Sequence, residues 1–359
     1  MTVQSLESSS STTTATTEED LISLCQLGQL VPESAIPGAY QNICMTRPER
    51  TVPFGNNSNK NNYNNNYNNN RDFVLRQGGS TSNSHTGDAN SNSGDSVGPG
   101  RTGVAVWNSA LLLTRLLVLL SKQETVNNNG TNNNDDDDDD SENGIADKNN
   151  PWIRNRTIVE LGCGTGLVSL VCARLGAARV VATDGNPDVV ALAATNVVNN
   201  QNHPTQTPLS QPAQSQAHAD QFLVGQNRGD EVIVETTLLP WGYLNAMEYS
   251  DCADLVVGSD LTYNSGSWRV LGETIGTILK PGGRFLYLTC GHSGFGVKGE
   301  LDGFAQVVSS NGSGSGSLVV DAAMGVKLEH ALMTTLSDRE KGVVDSTGGV
   351  RVLVLRRKA

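Results

Sequence analysis

Cysteine is sparse in this chain and follows no pattern that would serve a metal site. The 359 residues include six cysteines, which are scattered without a C-x-x-C pair and without histidine partners nearby. Such spacing is typical of proteins in a reducing compartment. We therefore predict a reducing environment and no bound metal ion.

Long apolar segments and clustered positive charge are missing as well. The longest apolar stretch, residues 110–120, contains Thr114 and Arg115 and is too short to cross a bilayer. The first twenty residues have neither a basic start nor an apolar centre, which argues against a secretory signal. The net charge of −12, half of which comes from the six aspartates at 135–140, argues against nucleic-acid binding, because phosphate contacts need a basic face. We predict a soluble monomer of the cytosol or nucleus with no membrane partner.

Apolar residues make up only 37% of the chain, and the shortfall is concentrated in a few polar tracts. These tracts are rich in Ser and Thr (8–17), Asn (56–70), Ser, Gly and Asn (78–100), Asn and Asp (127–140), or Gln, Pro and Ser (201–221). They cannot bury enough apolar surface to offset the chain entropy, so we predict disorder. What remains is one folded domain at 101–359, with inserts near 122–150 and 201–229, after a largely low-complexity region at 1–100.

Three islands of local order are predicted within the first hundred residues. The pattern of apolar residues favours a helix at 20–30. Residues 40–53 and 72–77 alternate between apolar and polar side chains, as strands do. We expect these two segments to form a small β-hairpin.

The most informative segment is residues 157–184, TIVELGCGTGLVSLVCARLGAARVVATD. It reads as an apolar strand, a glycine-rich turn, an amphipathic helix and a second apolar strand that ends at Asp184. Gly162, Gly164 and Gly166 let the main chain turn tightly and let a ligand approach without Cβ clashes. A carboxylate at the end of the second strand can accept hydrogen bonds from ribose hydroxyls. The segment predicts a nucleotide-cofactor site built largely from backbone.

Strand and helix patterns alternate along the rest of the chain. They predict helices at 166–176, 187–200, 266–279 and 299–309, strands at 179–183, 231–236, 253–260 and 284–290, and a final strand pair near 325–334 and 349–356. Alternation of this kind predicts an α/β fold with a mostly parallel sheet, to which the final pair adds an antiparallel edge. Ligands bind beyond the carboxyl ends of such strands, where Asn186, Trp241 and Ser259 lie.

The glycine spacing distinguishes between cofactors. Dinucleotide enzymes use G-x-G-x-x-G, which brings a pyrophosphate onto free N–H groups at a helix N-terminus. Here the third glycine comes one residue early, and Glu160 before the turn suits a cationic ligand better than a pyrophosphate. The E-x-G-x-G-x-G arrangement resembles motif I of the seven-strand S-adenosylmethionine (AdoMet)-dependent methyltransferases. The resemblance implies a Rossmann-like seven-strand sheet and AdoMet as the cofactor, with NAD a less favoured alternative.

Features on either side of this motif narrow the resemblance. Gly103 and Trp107 open the apolar helix upstream, Trp241 follows the third strand, and the sequence Asp260-Leu-Thr-Tyr263 follows the fourth. This combination is similar to the family 16 seven-strand methyltransferases, the protein-lysine methyltransferase-like group. In that group the D-x-x-Y motif lies beside the target amine. The resemblance runs from about residue 72 to the C-terminus.

The resemblance implies a role for each matching position. Asp260 and Tyr263 would face the acceptor as the catalytic residues, although Asp260 could instead cap the next helix. The cofactor contacts would be Trp107 near the methionine end, Glu160 at the amino end, Gly162, Gly164 and Gly166 in the turn, Asp184 at the ribose, Trp241 beside the adenine, and Asn186 and Ser259 at the strand ends. Asn196 is interpreted as a structural polar residue of its helix.

The function predicted from these residues is direct, in-line methyl transfer from AdoMet to a side-chain amine, with a protein lysine as the favoured substrate. Three other acceptors stay open, namely a protein histidine, a small molecule and RNA. A catalytically inactive methyltransferase fold that serves as an interaction module is a further alternative. The intact glycine turn, Asp184 and D-x-x-Y motif favour the enzyme.

Overall fold

The computed structural model describes residues 49–52, 54, 72–77, 102–128, 151–201, 232–290, 297–310, 317–346 and 348–359. The helix predicted at 20–30 and most of the polar tracts lie outside these ranges. Within them the chain forms a two-stranded hairpin, a seven-stranded sheet and eight α-helices. Among the helices so described, none combines the length and the apolar character needed to cross a membrane.

The helices are α1 (Asn108–Asn128), α2 (Leu167–Arg174), α3 (Pro187–Gln201), α4 (Tyr243–Ala246), α5 (Trp268–Ile278), α6 (Val297–Ser310), α7 (Ala322–Thr334) and α8 (Asp338–Ser346). The strands are β1 (Glu49–Val52), β2 (Phe73–Arg76), β3 (Thr157–Leu161), β4 (Arg179–Asp184), β5 (Val234–Leu238), β6 (Ala253–Ser259), β7 (Leu279–Cys290), β8 (Leu318–Val320) and β9 (Val350–Arg357).

The large sheet has the strand order β5-β4-β3-β6-β7-β9-β8. The pairs from β5 to β7 are parallel, whereas β9 is antiparallel to both β7 and β8. The predicted mostly parallel sheet with an antiparallel C-terminal strand is therefore confirmed. The chain builds outward from β3 to β5 and then returns to place β6 on the other side of β3. Such a reversal leaves a crevice at the carboxyl ends of the two central strands, where ligands bind in open α/β sheets.

Successive residues of the central strands alternate between two apolar cores, one on each face of the sheet. Ile158 and Val257 belong to the core covered by α1, α2, α3 and α7. Their neighbours Val159 and Val256 belong to the core covered by α5 and α6. Because both faces are buried, the central strands are apolar almost throughout, and burial of this surface supplies most of the driving force for folding.

The predicted N-terminal hairpin is confirmed, and it packs on the main sheet domain through α3. Strands β1 and β2 pair in antiparallel register from Glu49 opposite Arg76 to Val52 opposite Phe73. The buried Asn196 side chain accepts from the backbone N–H of Arg76 at 2.7 Å and donates to its carbonyl at 3.0 Å. One helical turn later, Asn200 makes the same pair of bonds to Val74. Asn196 is thus the structural residue that the sequence predicts.

The prediction of a strand near 325–334 is wrong, because this segment lies entirely within helix α7. Gly325, Leu328 and Leu332 are buried at helical spacing, whereas Val326, which alternation would bury in a strand model, is 68% exposed. The side chain of Asp321 caps the helix by accepting from the N–H of Met324 at 3.1 Å. The strand that pairs with β9 on its outer side is instead the short strand β8.

Two other differences concern element boundaries. Helix α1 continues to Asn128, into a tract that we predict to be disordered from about residue 122. The segment between the two predicted final strands contains α8, whose residues Val343 and Val344 are buried. Short apolar pairs of this kind give too little periodicity for a helix to be recognised from sequence.

Candidate active site

The glycine turn between β3 and α2 has a backbone that requires glycine. Gly162, Gly164 and Gly166 have φ angles of +61°, +52° and +82°, a region that other residues rarely adopt. A Cβ atom at Gly162 would lie 2.6 Å from Cδ2 of Leu261, and one at Gly164 would lie 3.1 Å from the carbonyl oxygen of Gly103. The turn is therefore packed directly against the loop at the end of β6 and against the segment before α1.

Asp184 ends β4 beside this turn, and its carboxylate is held by the backbone. Its Oδ2 accepts from the N–H of Gly164 at 3.3 Å, and its Oδ1 accepts from the N–H of Asn186 at 3.0 Å. Burial raises the pKa of Asp184, and these N–H groups offset part of that effect. A carboxylate offers about four acceptor positions, so the two oxygens retain capacity for a further hydrogen bond from a hydroxyl group. The chemistry of this backbone-anchored carboxylate fits the hydroxyl groups of the AdoMet ribose.

Glu160 lies beneath the turn rather than on its open side. Its side chain is buried, and its Oε2 accepts from the backbone N–H of Ser169 at 2.8 Å and from the hydroxyl of Ser169 at 2.5 Å. Ser169 is in the first turn of α2, where a negative charge also interacts favourably with the helix dipole. Burial nevertheless dominates and raises the pKa of Glu160 to about 8.

The other candidate cofactor residues are distributed around the same edge of the sheet. Trp107 is half-buried directly before α1, and Trp241 is half-buried after β5 against the α5–α6 core. Asn186 uses its Oδ1 to accept from the N–H of Asp188 at 2.9 Å, which caps the start of α3. Ser259 is the last residue of β6 and is partly exposed. The structure thus brings these residues to the carboxyl edge, with the Asn186 side chain already engaged in capping.

Asp260 follows β6 with a strained backbone and a fixed side chain. Its φ angle is +51°, which is uncommon for a residue other than glycine and often marks a functional position. Its Oδ1 accepts from the hydroxyl of Thr289 at 2.8 Å and from the N–H of Cys290 at 3.2 Å, and its Oδ2 accepts from the hydroxyl of Ser109. The alternative of a helix cap is wrong for Asp260, because Asn264 caps the turn that follows.

Ser109 and Thr289 are contacts of Asp260 that we do not predict from the sequence. Thr289 lies near the carboxyl end of β7, so the rule that ligands gather at strand ends could have indicated it. Ser109 is on the first turn of α1, and nothing in its sequence context indicates a partner some 150 residues away. Tyr263, the second predicted catalytic residue, is 58% exposed at the rim.

The acidic residues and cysteines in the described part of the chain do not cluster as metal ligands do. Among the residues that the structure describes, no three His, Cys, Asp or Glu side chains come together as a metal site would require. Cys163, within the glycine turn, and Cys172, in α2, are both buried. Burial raises the pKa of both thiols, so they act as small apolar side chains.

The seven-strand sheet, the glycine turn and the carboxylate at the end of β4 define the class of this protein as an AdoMet-dependent methyltransferase. The chain belongs to the lysine methyltransferase family, whose family model matches residues 92–293, more than half of its 359 residues. S-adenosylmethionine, rather than NAD, is therefore the cofactor.

Curated relatives match over short segments only. A protein of Methanocaldococcus jannaschii, whose name assigns it to the protein N5-glutamine methyltransferases, is 45% identical over 56 residues, which are 15% of this chain and 28% of that protein. The ribosomal protein arginine N-methyltransferase rmt3 of Schizosaccharomyces pombe is 42% identical over 45 residues, which are 12% of this chain and 8% of that protein. The chain thus spans less than a third of the length of these relatives.

Two solved structures illustrate the structural likeness. The ribosomal protein L11 methylase of Lactobacillus delbrueckii subsp. bulgaricus matches 69% of this chain and 79% of its own, with 16% identity and a TM-score of 0.34. The Thermus thermophilus 16S rRNA N2 G1207 methyltransferase RsmC, in complex with AdoMet and guanosine, matches 80% of this chain and 48% of its own, with 12% identity and a TM-score of 0.38. Likeness at this level does not bear on the methyl acceptor.

Proposed function

We propose that this methyltransferase modifies a lysine side chain of a protein substrate. The observation that carries the proposal is the contact between the two loops that the reaction needs. Leu261, next to Asp260, occupies the space that a side chain at Gly162 would take. A loop that presents Asp260 to an acceptor therefore touches the turn assigned to the methyl donor. Membership of the lysine methyltransferase family supports the same acceptor.

On the cofactor side, the proposed roles follow from the chemistry of each residue. AdoMet supplies an electrophilic methyl group on a sulfonium sulfur. The two oxygens of Asp184 accept hydrogen bonds from the ribose hydroxyls, while Gly164 and Asn186 hold that carboxylate in place. The remaining proposed contacts are the glycines Gly162 and Gly166, the aromatic faces of Trp107 and Trp241, the strand-end residue Ser259, and Glu160, whose carboxyl oxygens can accept a hydrogen bond from the amino end.

On the acceptor side, the proposed task is to orient an uncharged amine. A free lysine has a pKa near 10.4, and partial burial lowers it. Asp260 already accepts three hydrogen bonds from this chain, which leaves about one acceptor position to orient the amine. The proton that the lysine ammonium loses before the reaction goes to water. The exposed ring of Tyr263 can attract the cationic product. The amine lone pair would form the new N–C bond to the methyl carbon while the C–S bond of AdoMet breaks. The electron pair of the broken C–S bond would stay on sulfur.

The proposal is tested by identifying the labelled residue. The full chain is incubated with tritiated-methyl AdoMet and a cell lysate, and the labelled band is analysed by mass spectrometry. Methyl-lysine in a protein is the expected product. Label in histidine, arginine or glutamine, in RNA or in a small molecule would refute the lysine assignment.

The role of Asp260 is tested with Asp260→Asn, which keeps the side-chain shape. Methyl incorporation should fall by at least about 100-fold, whereas the affinity for S-adenosylhomocysteine should stay within twofold. Asp251→Asn is a matched control, because Asp251 has a similar φ of +52° but forms an exposed ion pair with Arg357. Equal loss of transfer and of cofactor affinity in Asp260→Asn would assign Asp260 to the cofactor site or to the fold instead.

A further inference from the structure

The loop Asp260–Tyr263, which we call the acceptor loop, is anchored from below by a tyrosine of β7. Tyr287 is completely buried, and its hydroxyl oxygen accepts from the backbone N–H of Leu261 at 2.9 Å and from that of Thr262 at 3.1 Å. These are the two middle residues of the acceptor loop. One side-chain oxygen thus satisfies both buried backbone donors between Asp260 and Tyr263.

The hydroxyl hydrogen of Tyr287 has a defined direction. The hydroxyl of Thr262 lies 2.8 Å from that of Tyr287 and also donates to Oε1 of Glu300 on α6. Because an ionised carboxylate only accepts, the Thr262 hydrogen is used on Glu300, and Tyr287 must donate to Thr262. The relay therefore runs from Tyr287 through Thr262 to Glu300. Burial raises the pKa of Tyr287, so its hydroxyl keeps the hydrogen that this relay needs.

The same strand also holds the side chain of Asp260. Thr289 is two residues beyond Tyr287 on β7 and therefore on the same face of the strand. Its hydroxyl donates to Asp260 at 2.8 Å. The left-handed backbone of Asp260 is unfavourable for a residue with a Cβ atom and persists only where neighbouring contacts impose it. Tyr287 supplies such contacts at the next two residues.

We propose that Tyr287 is a positioning residue for methyl transfer, which acts through Thr262 and Glu300 to hold Asp260 and Tyr263 toward the acceptor amine. This inference rests on the function proposed above. It adds a residue that does not touch the reacting atoms but sets the geometry of those that do. A displacement of about 1 Å at such a site can reduce a rate on the order of 100-fold.

The decisive variant is Tyr287→Phe, which keeps the ring packed between Phe285 (5.8 Å between ring centroids) and Phe304 (6.5 Å). It removes the acceptor of two buried N–H groups and the donor to Thr262. We expect the maximal rate of methyl incorporation to fall by at least about tenfold, while the KM for AdoMet changes less than twofold. The matched control is Tyr249→Phe, which removes a hydroxyl bonded to Thr237 at 3.3 Å, away from the acceptor loop.

A second readout is independent of catalysis. Amide hydrogen exchange at Leu261 and Thr262 should accelerate by at least about tenfold in Tyr287→Phe and stay unchanged in Tyr249→Phe. If Tyr287→Phe folds poorly, two conservative variants of Thr262 test the same hydrogen bonds. Thr262→Ser keeps the hydroxyl and should retain more activity than the nearly isosteric Thr262→Val.

The outcomes distinguish a failure of the positioning role of Tyr287 from a failure of the proposed lysine acceptor. A wild-type rate in Tyr287→Phe, or equal rates in Thr262→Ser and Thr262→Val, would overturn the positioning role. If the wild type labels a residue other than lysine, the proposed acceptor is wrong, and the same comparison is made on that label. Loss of cofactor affinity in parallel with rate would also overturn the inference, because it would indicate a general disturbance of the site.

Discussion

Replacement of Glu160 by glutamine is expected to make the protein more stable at neutral and alkaline pH. The Glu160 carboxyl has its pKa raised from 4.5 to about 8, because burial disfavours the charge more than the two hydrogen bonds from Ser169 favour it. One pKa unit corresponds to about 1.4 kcal/mol, so the full difference amounts to about 5 kcal/mol. Glutamine is isosteric, can still accept from Ser169, and cannot ionise.

The direction of this stability change follows from the number of protons that Glu160 binds in the folded and in the unfolded state. Between pH 4.5 and about 8 the unfolded chain has lost the Glu160 proton while the folded protein retains it. The contribution of this group to stability is therefore complete below pH 4.5 and is lost as the pH rises through about 8. The free energy of unfolding of Glu160→Gln should therefore rise relative to that of the wild type progressively over this pH range, by up to about 5 kcal/mol.

Urea unfolding at a series of pH values measures this gain directly. The control is Glu235→Gln, since Glu235 is exposed and pairs with Arg179 at 2.7 Å. Its effect should stay within about 1 kcal/mol across the range. If the difference between Glu160→Gln and the wild type is constant from pH 5 to pH 8, then Glu160 ionises in the folded protein as readily as in water, and the argument from burial is wrong.

Two further outcomes are expected from residues on β4 and α3. Asp184→Ala should weaken the binding of S-adenosylhomocysteine at least about tenfold, because each lost hydrogen bond to a charged group contributes about 1.5–3 kcal/mol. Calorimetry measures this affinity. An unchanged affinity would show that Asp184 is not part of the cofactor site. Asn196→Ala should lower the free energy of unfolding by about 3 kcal/mol, because one buried and two partly buried backbone groups lose their partners. Asn200→Ala, whose partners at Val74 are exposed, should cost less than half as much in the same denaturant assay, and equal losses would contradict this reasoning.

The sheet and the cofactor edge could be predicted because their determinants are local in sequence. An apolar strand, a turn that only glycine can make and a strand-terminal carboxylate all lie within residues 157–184. The parallel order follows from alternation of strand and helix. The C-terminal region could not be predicted in the same way. Residues 325–334 have apolar side chains at spacings that fit both a strand and a helix, and only packing on β9 decides in favour of α7.

The acceptor side was predictable only in part, for a different physical reason. Asp260 and Tyr263 are identified by a short motif, but the groups that fix them come from distant segments. Ser109 and Tyr287 reach the acceptor loop from α1 and β7, and no periodicity or spacing links these positions to it. Side-chain hydrogen bonds over such separations depend on the completed fold. A sequence therefore indicates which residues meet the substrate more readily than which residues hold them.

The N-terminal hairpin also helps to hold the residues around Asp260 in place, although it lies far from the acceptor loop in sequence. Its buried Arg50 donates to the carbonyl of Val106 at 2.6 Å, and its Gln77 accepts from the N–H of Val106 at 3.0 Å. Two hydrogen bonds from the hairpin thus fix the backbone just before α1. Three residues later, Ser109 donates to Asp260. Because the first turn of a helix follows rigidly from its entry point, the hairpin sets where this hydroxyl meets the carboxylate. Trp107, which we propose to contact the cofactor, lies between these two contacts, so the hairpin supports the positions of a residue proposed for the donor side and of one proposed for the acceptor side.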